Sequence, residues 1–252
     1  MTLSPADPGG IVACFERTAD AVLAAVNTIA VEELHRDGER PTQYALDLVA
    51  DDAALRELHP TGVRVRSEES GWTGPEGAAI TVVVDPVDGS TNCARQIPMW
   101  AISLAAVDEQ GLLVGYVRNQ VVGTTWCAVR GAGATRNGVP VQPNRSVDAA
   151  HVIVGHEGPF LFDERWWQTR SLGSAALGLC AVASGELDAY VLPFGVSPWD
   201  YLAGVLVCQE AGVPVVDAAG GDVTAVEPDA RCFPYAAVTQ DLLSQLVETF
   251  RS

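Results

Sequence analysis

The stretch Val82-Val83-Val84-Asp85-Pro86-Val87-Asp88-Gly89-Ser90-Thr91-Asn92 constrains this 252-residue chain more than any other. The β-branched run predicts a buried strand. It ends in two carboxylates spaced i, i+3, then a glycine and two hydroxyl residues. Such a strand delivers Asp85 and Asp88 to one point at its C-terminal end. Pro86 stiffens the turn between them, and that turn exposes the Val87 carbonyl. Gly89 permits close backbone approach, and Ser90 is placed to cap a short helix whose free N–H groups face an anion. Carboxylates beside a phosphate-sized anion site are compatible only with cations between them. The stretch therefore reads as a metal-dependent phosphate-ester site. Its plain alternative is a strand ending in an Asp-Gly turn.

The length suits one large domain or two packed halves with a sizeable core. A net charge of −17 disfavours non-specific binding to nucleic acid or to an anionic membrane. Bound divalent cations would invert that field locally for an anionic substrate. The six cysteines form no close pair and lie mostly in apolar surroundings, so they read as buried reduced thiols of a cytoplasmic protein. The four histidines show no ligand spacing and read as surface or loop residues. The N-terminus lacks the basic and apolar regions of a signal peptide, and no apolar run reaches membrane-spanning length.

The expected organisation is a flexible tail over 1–10, an N-terminal α+β half over 11–145 and a C-terminal α/β half over 146–252, joined through polar residues 142–148. Helical spacing predicts one long helix from Ile11 to about Arg36. A second follows from Thr42 to Leu58, with Leu46, Val49, Ala50, Ala53 and Leu58 on its core face. Val63–Arg66 alternates as a half-buried strand and runs into Glu68 and Glu69. Strands follow near 100–107, 112–118 and 124–129, then a Gly-rich segment ending in Asn137-Gly138, a hairpin turn. In the second half a strand at 151–155 and the paired Trp166 and Trp167 precede Arg170-Ser171-Leu172-Gly173-Ser174-Ala175. A helix to about Ser184, a short strand near 191, the motif Pro198-Trp199-Asp200-Tyr201-Leu202-Ala203-Gly204, closing strands at 213–216 and 235–238, and a terminal helix over 240–251 complete the chain.

The Asp85 stretch resembles the signature Asp-Pro-Ile-Asp-Gly-Thr-Thr-Asn of the inositol monophosphatase superfamily, whose members are Mg²⁺-dependent and often lithium-sensitive phosphatases. Trp199-Asp200 through Ala203-Gly204 resembles that family's second signature, and Ser67-Glu68-Glu69 its Gly-Glu-Glu element. The resemblance spans roughly residues 11–250. It implies a layered α/β/α/β/α sandwich of the inositol monophosphatase and fructose-1,6-bisphosphatase type, with the site between the halves, and a homodimer.

For the site, the resemblance implies two or three Mg²⁺ ions. Glu68, Asp85 and the Val87 carbonyl hold the first, Asp85, Asp88 and Asp200 the second, and a weaker third lies near Glu68. Ser90 and Asp47 orient or deprotonate a metal-activated water, with Asp51 a competing candidate for the role of Asp47. Asp88 and the backbone of Gly89, Ser90 and Thr91 face the phosphate. Arg170, Gly173, Ser174, Ala175 and Asp200 lie beside the substrate's alcohol. The implied activity is hydrolysis of a small sugar or polyol phosphate resembling inositol 1-phosphate. Pro193 stands where many inositol phosphatases carry a ring-binding acid, so fructose 1,6-bisphosphate, histidinol phosphate and adenosine 3′,5′-bisphosphate stay open as substrates. A silent metal- and phosphate-binding regulator is the non-enzymatic alternative.

Overall fold

The computed structural model describes residues 2–145, 147, 149–158, 166–226 and 231–250. Met1 of the expected tail, Ser146 and Asp148 of the expected joint, Arg165 and Arg251 lie outside the described residues.

Two helices open the chain, α1 (Pro8–Val26) and α2 (Ala45–Leu58). Residues 8–10 belong to α1 rather than to a tail, because the Asp7 carboxylate caps it by accepting the Gly10 N–H at 3.0 Å. Leu3 is buried as well, with its N–H on the Thr61 carbonyl at 3.1 Å. At its other end α1 stops ten residues short of Arg36. The apolar residues that extend the helical pattern, Ile29 and Val31, lie instead in a coil and a 3₁₀ turn over Val31–Glu33. Helix α2 begins three residues later than expected because Thr42 has φ 67°, which a β-branched residue does not adopt inside a helix. Val49 on α2 is 37 % exposed, and Ala54 takes its place in the core.

The first sheet has eight strands: β1 (Arg64–Ser67), β2 (Gly71–Thr73), β3 (Thr81–Asp88), β4 (Ala101–Asp108), β5 (Gly111–Asn119), β6 (Thr125–Val129), β7 (Gly133–Arg136) and β8 (Val139–Pro140), with α3 (Ser90–Ala94) between β3 and β4. Their order is β2-β1-β3-β4-β5-β6-β7-β8, and only the β1–β3 pair is parallel. Asn137 and Gly138, both at positive φ, make the tight turn between β7 and β8. The second half holds β9 (Ile153–His156), β10 (Gln168–Arg170), α4 (Ala175–Ala183), β11 (Ala189–Val191), α5 (Pro198–Glu210), β12 (Val215–Asp217), β13 (Pro234–Ala237) and α6 (Gln240–Phe250). Its sheet is ordered β10-β9-β11-β13-β12.

Helices α1 and α2 pack on the large sheet, α4 and α5 contact both sheets, and α6 packs on β11 and β13. This is the expected α/β/α/β/α layering. Alternation along β3 divides the core. Val82 and Val84 join Phe15, Leu46 and Tyr116 beneath α1 and α2, whereas Val83 joins Ala105, Val117 and the α4–α5 layer. Small residues bring α5 close: a Cβ added to Gly115 of β5 would lie 2.6 Å from the Ala203 carbonyl. His156 is buried in β9, contrary to its reading as a surface residue. Trp166 is buried and Trp167 exposed, its ring edge-on to His151 at 5.3 Å. Among the described residues no helix is long and apolar enough to cross a membrane, and all six cysteines are free thiols, five of them buried.

Candidate metal centre

Strand β3 does not end in a turn at Asp85; it continues to Asp88 through a bulge. Asp85 aligns with Ser103 of β4 and Asp88 with Ala101, so β3 carries one residue more than its partner in that interval. In a regular strand, residues i and i+3 point to opposite faces. The extra residue restores Asp88 to the side of Asp85. Pro86 fits here because it has no N–H to give to a ladder. The Val87 N–H donates to Asp85 Oδ1 at 2.9 Å. Gly89, at φ 96°, holds the N-cap position of α3, so Ser90 is not the cap. The Ser90 hydroxyl donates to the Val87 carbonyl at 3.0 Å instead.

Asp200 arrives from the first turn of α5, where its Oδ2 accepts the Ser197 N–H at 2.8 Å. Asp85, Asp88 and Asp200 each offer an oxygen, and the three oxygens lie within 4.8 Å of one another. Glu68 follows β1, its N–H on the Val84 carbonyl at 3.2 Å, with its carboxyl beside that of Asp85. The parallel pairing of β1 with β3 is therefore what sets Glu68 beside Asp85.

Burial is the first cause of the electrostatics, and mutual repulsion the second. Glu68 is pushed up to about 8 by burial and then by Asp200 and Glu69. Asp85 lies well above the carboxylate range through burial, Glu68 and Asp88. Asp200 is pushed up to about 7 by burial and Asp88. Burial raises Asp88 to about 6, against donors from α4: Ser174 Oγ at 2.5 Å, Ala176 N at 2.8 Å and Ala175 N at 3.3 Å. Four carboxylates buried together, three of them raised further by their neighbours, favour either protons or cations. The donor set is all oxygen, with neither His nor Cys, which suits Mg²⁺.

Asp47 and Asp51 are distinguished by their partners. Asp51 accepts from both the Ser67 and Ser70 hydroxyls and so braces the segment that carries Glu68. Asp47 accepts only through Oδ2, from the Tyr44 N–H at 2.8 Å, while its buried Oδ1 makes no hydrogen bond. Burial pushes the Asp47 carboxyl up to about 6, against the Tyr44 amide and the nearby Ser90 hydroxyl. A cleft of about 440 Å³ lined by Asp47, Glu68, Ser90, Arg40, Arg66 and Trp199 opens here. Glu69 is engaged by Arg40 and Gln43 at its edge. The Arg66 guanidinium lies 4.7 Å from the Trp199 ring and 5.7 Å from that of Trp72, and the Arg64 guanidinium lies 4.3 Å from the Trp72 ring. This stack links the end of β1 to the start of α5.

On the opposite wall, Ser174 and Ala175 reach Asp88 itself. Gly173, at φ 73°, abuts Asn92, whose amide donates to the Leu172 carbonyl at 2.8 Å and the Met99 carbonyl at 2.6 Å. Thr91 is exposed, 3.3 Å from the Tyr44 hydroxyl. Arg170 is not drawn into the cluster: it donates to Gln168 and to the Thr169 carbonyl at 2.8 Å. Sequence reasoning missed Glu157, which accepts from Ser171 Oγ, the Leu172 and Gly173 amides and the Tyr190 hydroxyl at 2.9–3.1 Å. The available signal was its place one residue after a strand, as with Glu68.

The model of the inositol monophosphatase family matches residues 13–251. The chain belongs to that family. A fructose-1,6-bisphosphatase/inositol-1-monophosphatase of Methanothermobacter thermautotrophicus is 31 % identical over 271 residues, covering 96 % of this chain and 95 % of that protein. The Nus factor SuhB of Pseudomonas aeruginosa is 36 % identical over 188 residues, covering 67 % of this chain and 68 % of its own. The crystal structure of an extragenic suppressor protein suhB from Bartonella henselae shares the fold at TM-score 0.83 and 22 % identity, covering 96 % of this chain and 99 % of its own. Inositol monophosphatase family membership makes this a phosphatase-family chain, with a buried acidic cluster able to hold metal.

Proposed function

We propose that this chain is a Mg²⁺-dependent phosphomonoesterase acting on a small sugar or polyol phosphate. The observation that carries the reading is the convergence of Asp85 and Asp88 from β3 with Asp200 from α5, their oxygens within 4.8 Å, beside Glu68. Glu68, Asp85, the Val87 carbonyl, Asp88 and Asp200 would hold the ions. Magnesium bound there supplies Lewis-acid charge, which makes water a better nucleophile and offsets charge on the leaving oxygen.

The chain's own residues divide the remaining work. Burial raises the Asp47 carboxyl to about 6, and its buried Oδ1, which makes no hydrogen bond, would accept a proton from an attacking water. Ser90, anchored on Val87, sits between Asp47 and the bulge and orients that water. The Gly89, Ser90 and Thr91 amides lie at the start of α3, toward the phosphate. Ser174 and the α4 amides keep Asp88 aimed into the cluster. The substrate's alcohol leaves toward the α4 and α5 starts.

The test is phosphate release from inositol 1-phosphate, fructose 1,6-bisphosphate, histidinol phosphate and adenosine 3′,5′-bisphosphate, with and without Mg²⁺, beside Asp88→Asn. Turnover that requires Mg²⁺ and disappears in the variant is the expected result. The SuhB relatives carry the name Nus factor, which favours a second reading, a regulator that binds metal and phosphate without turnover. Tight metal and phosphate binding by calorimetry with no release from any ester would select it.

A further inference from the structure

The Glu157 carboxylate lies outside the acid cluster, yet four donors converge on it. Strand β9 ends at His156, and Glu157 reaches from there to the segment that precedes α4. Its Oε2 accepts the Ser171 hydroxyl at 2.9 Å. Its Oε1 accepts the Leu172 amide at 3.1 Å, the Gly173 amide at 2.9 Å and the Tyr190 hydroxyl at 3.0 Å. Among the described residues it pairs with no arginine. Its hold on the chain is therefore made of hydrogen bonds, which an ionised acceptor strengthens.

Tyr190 is seated to take part. It is fully buried in β11, beside β9. Its ring passes between β9 and α4: a Cβ added to Gly155 would stand 2.6 Å from it, and one added to Gly178 2.2 Å. Gly178 lies inside α4, where glycine is disfavoured relative to alanine, so the space for the ring is kept against helix propensity. The hydroxyl delivered to Glu157 also lies 3.4 Å from the Ser174 carbonyl.

The segment held in this way ends at the donors of Asp88. Gly173, at φ 73°, precedes Ser174, the N-cap residue of α4. The Ser174 hydroxyl and the Ala175 and Ala176 amides then donate to the Asp88 carboxylate. From the other side the Asn92 amide donates to the Leu172 carbonyl at 2.8 Å, and Asn92 belongs to the same string as Asp88. Residues 171–173 are thus clamped between Glu157 and that string. Carboxylates that ligate metals depend on such outer hydrogen bonds for their orientation.

We propose that Glu157 is a positioning residue for the metal centre: through Ser171–Gly173 and Tyr190 it sets the α4 donors that aim Asp88 as a ligand. This rests on the metal reading of the acid cluster. The contacts, rather than the charge, carry the role. A glutamine at 157 can offer its oxygen to the two amides and the Tyr190 hydroxyl, and its NH₂ to the Ser171 oxygen. Alanine can offer nothing.

Calorimetric titration with Mg²⁺ at 25 °C compares the wild type with Glu157→Ala, Glu157→Gln and Tyr190→Phe, beside melts of each. Glu157→Ala should weaken Mg²⁺ binding about 10-fold. Glu157→Gln should restore it to within about threefold of wild type, and Tyr190→Phe, which removes one of the four donors, should weaken it about three- to fivefold. The Mg²⁺ concentration for half-maximal phosphate release should move in step, with turnover largely recovered at saturating Mg²⁺. A Glu157→Ala protein that melts earlier but binds Mg²⁺ as wild type does overturns the inference, because Glu157 then only supports the fold. Glu157→Gln as weak as Glu157→Ala overturns it too, since charge would then be the cause. Where Glu157→Ala does not fold, Tyr190→Phe decides: Mg²⁺ affinity equal to wild type overturns the inference. A wild type that binds no Mg²⁺ removes the metal reading and this inference together, whereas equal binding by wild type and variant removes the inference alone.

Discussion

Stripping divalent metal should make the protein less stable as pH rises through neutrality. In the metal-free state Glu68 is pushed up to about 8, Asp200 to about 7, Asp88 and Asp47 to about 6, and Asp85 well above the carboxylate range. Unfolding returns each carboxyl to about 4. Between pH 6.5 and 8.5 the native state thus holds protons that the unfolded state has released. Stability then falls with rising pH, because the folded state binds more protons. The loss is absent below about pH 4, where both states are protonated, and grows until the folded carboxyls ionise. A single retained proton gives about 1.4 kcal/mol per pH unit, or about 3 kcal/mol over the two units. For a chain of this size that lowers Tm by roughly 8 °C. Magnesium, binding the ionised carboxylates, should flatten the slope. Asp108 and Asp222 are held low by their donors and titrate below the window, while His156, held low by burial in the folded state, opposes the slope only near the window's lower edge. Calorimetric melts at pH 6.5, 7.5 and 8.5, in chelator and in magnesium, make the comparison. A metal-free Tm that is level or rises with pH refutes the argument that these acids are buried together.

Other outcomes follow from single contacts. Asp47→Asn should reduce kcat by about 100-fold or more, with a melting temperature no lower than wild type, since a buried charge is removed; assays and melts on one preparation check both. Asp51→Ala leaves the Ser67 and Ser70 hydroxyls without their acceptor and should cost about 2–4 kcal/mol by urea denaturation, with weaker magnesium binding because Glu68 loses its brace. Gly89→Ala places a Cβ 2.8 Å from the Gly173 carbonyl at φ 96°, and should destabilise by about 2 kcal/mol or more in the same assay. Arg66→Met should shift Tm by only a few degrees in the same melts, since it breaks a partly solvated stack.

The site was legible because its chemistry is local. Asp85, Asp88 and Asp200 sit in short strings whose residue types restrict the backbone, and the layering was implied by the resemblance of those strings to the family's signatures. What escaped was what distant segments impose. The bulge at Pro86 depends on the register against β4, so the string alone read as a turn. Helix α1 was overextended because Ile29 and Val31 keep its apolar spacing after the backbone has left the helix. The short strands β2 and β10, three residues each, exist through pairing with β1 and β9 rather than through propensity. Glu157 had no motif of its own, since its four donors come from residues 171–190. Asp47 and Asp51 could be separated only by the serines that Asp51 holds.

The covering of the large sheet also bears on how the chain is made. Its inner face, with Val83, Ala105, Val117 and Ala128, is covered by helices α4 and α5, which lie between residues 175 and 210. Ribosomal synthesis therefore completes all eight strands of that sheet before the helices that shield them exist. A nascent chain of about 140 residues presents an apolar sheet face and three acids that still lack Asp200. Such a species is prone to aggregate, and its apolar face stays uncovered until α4 and α5 have been made.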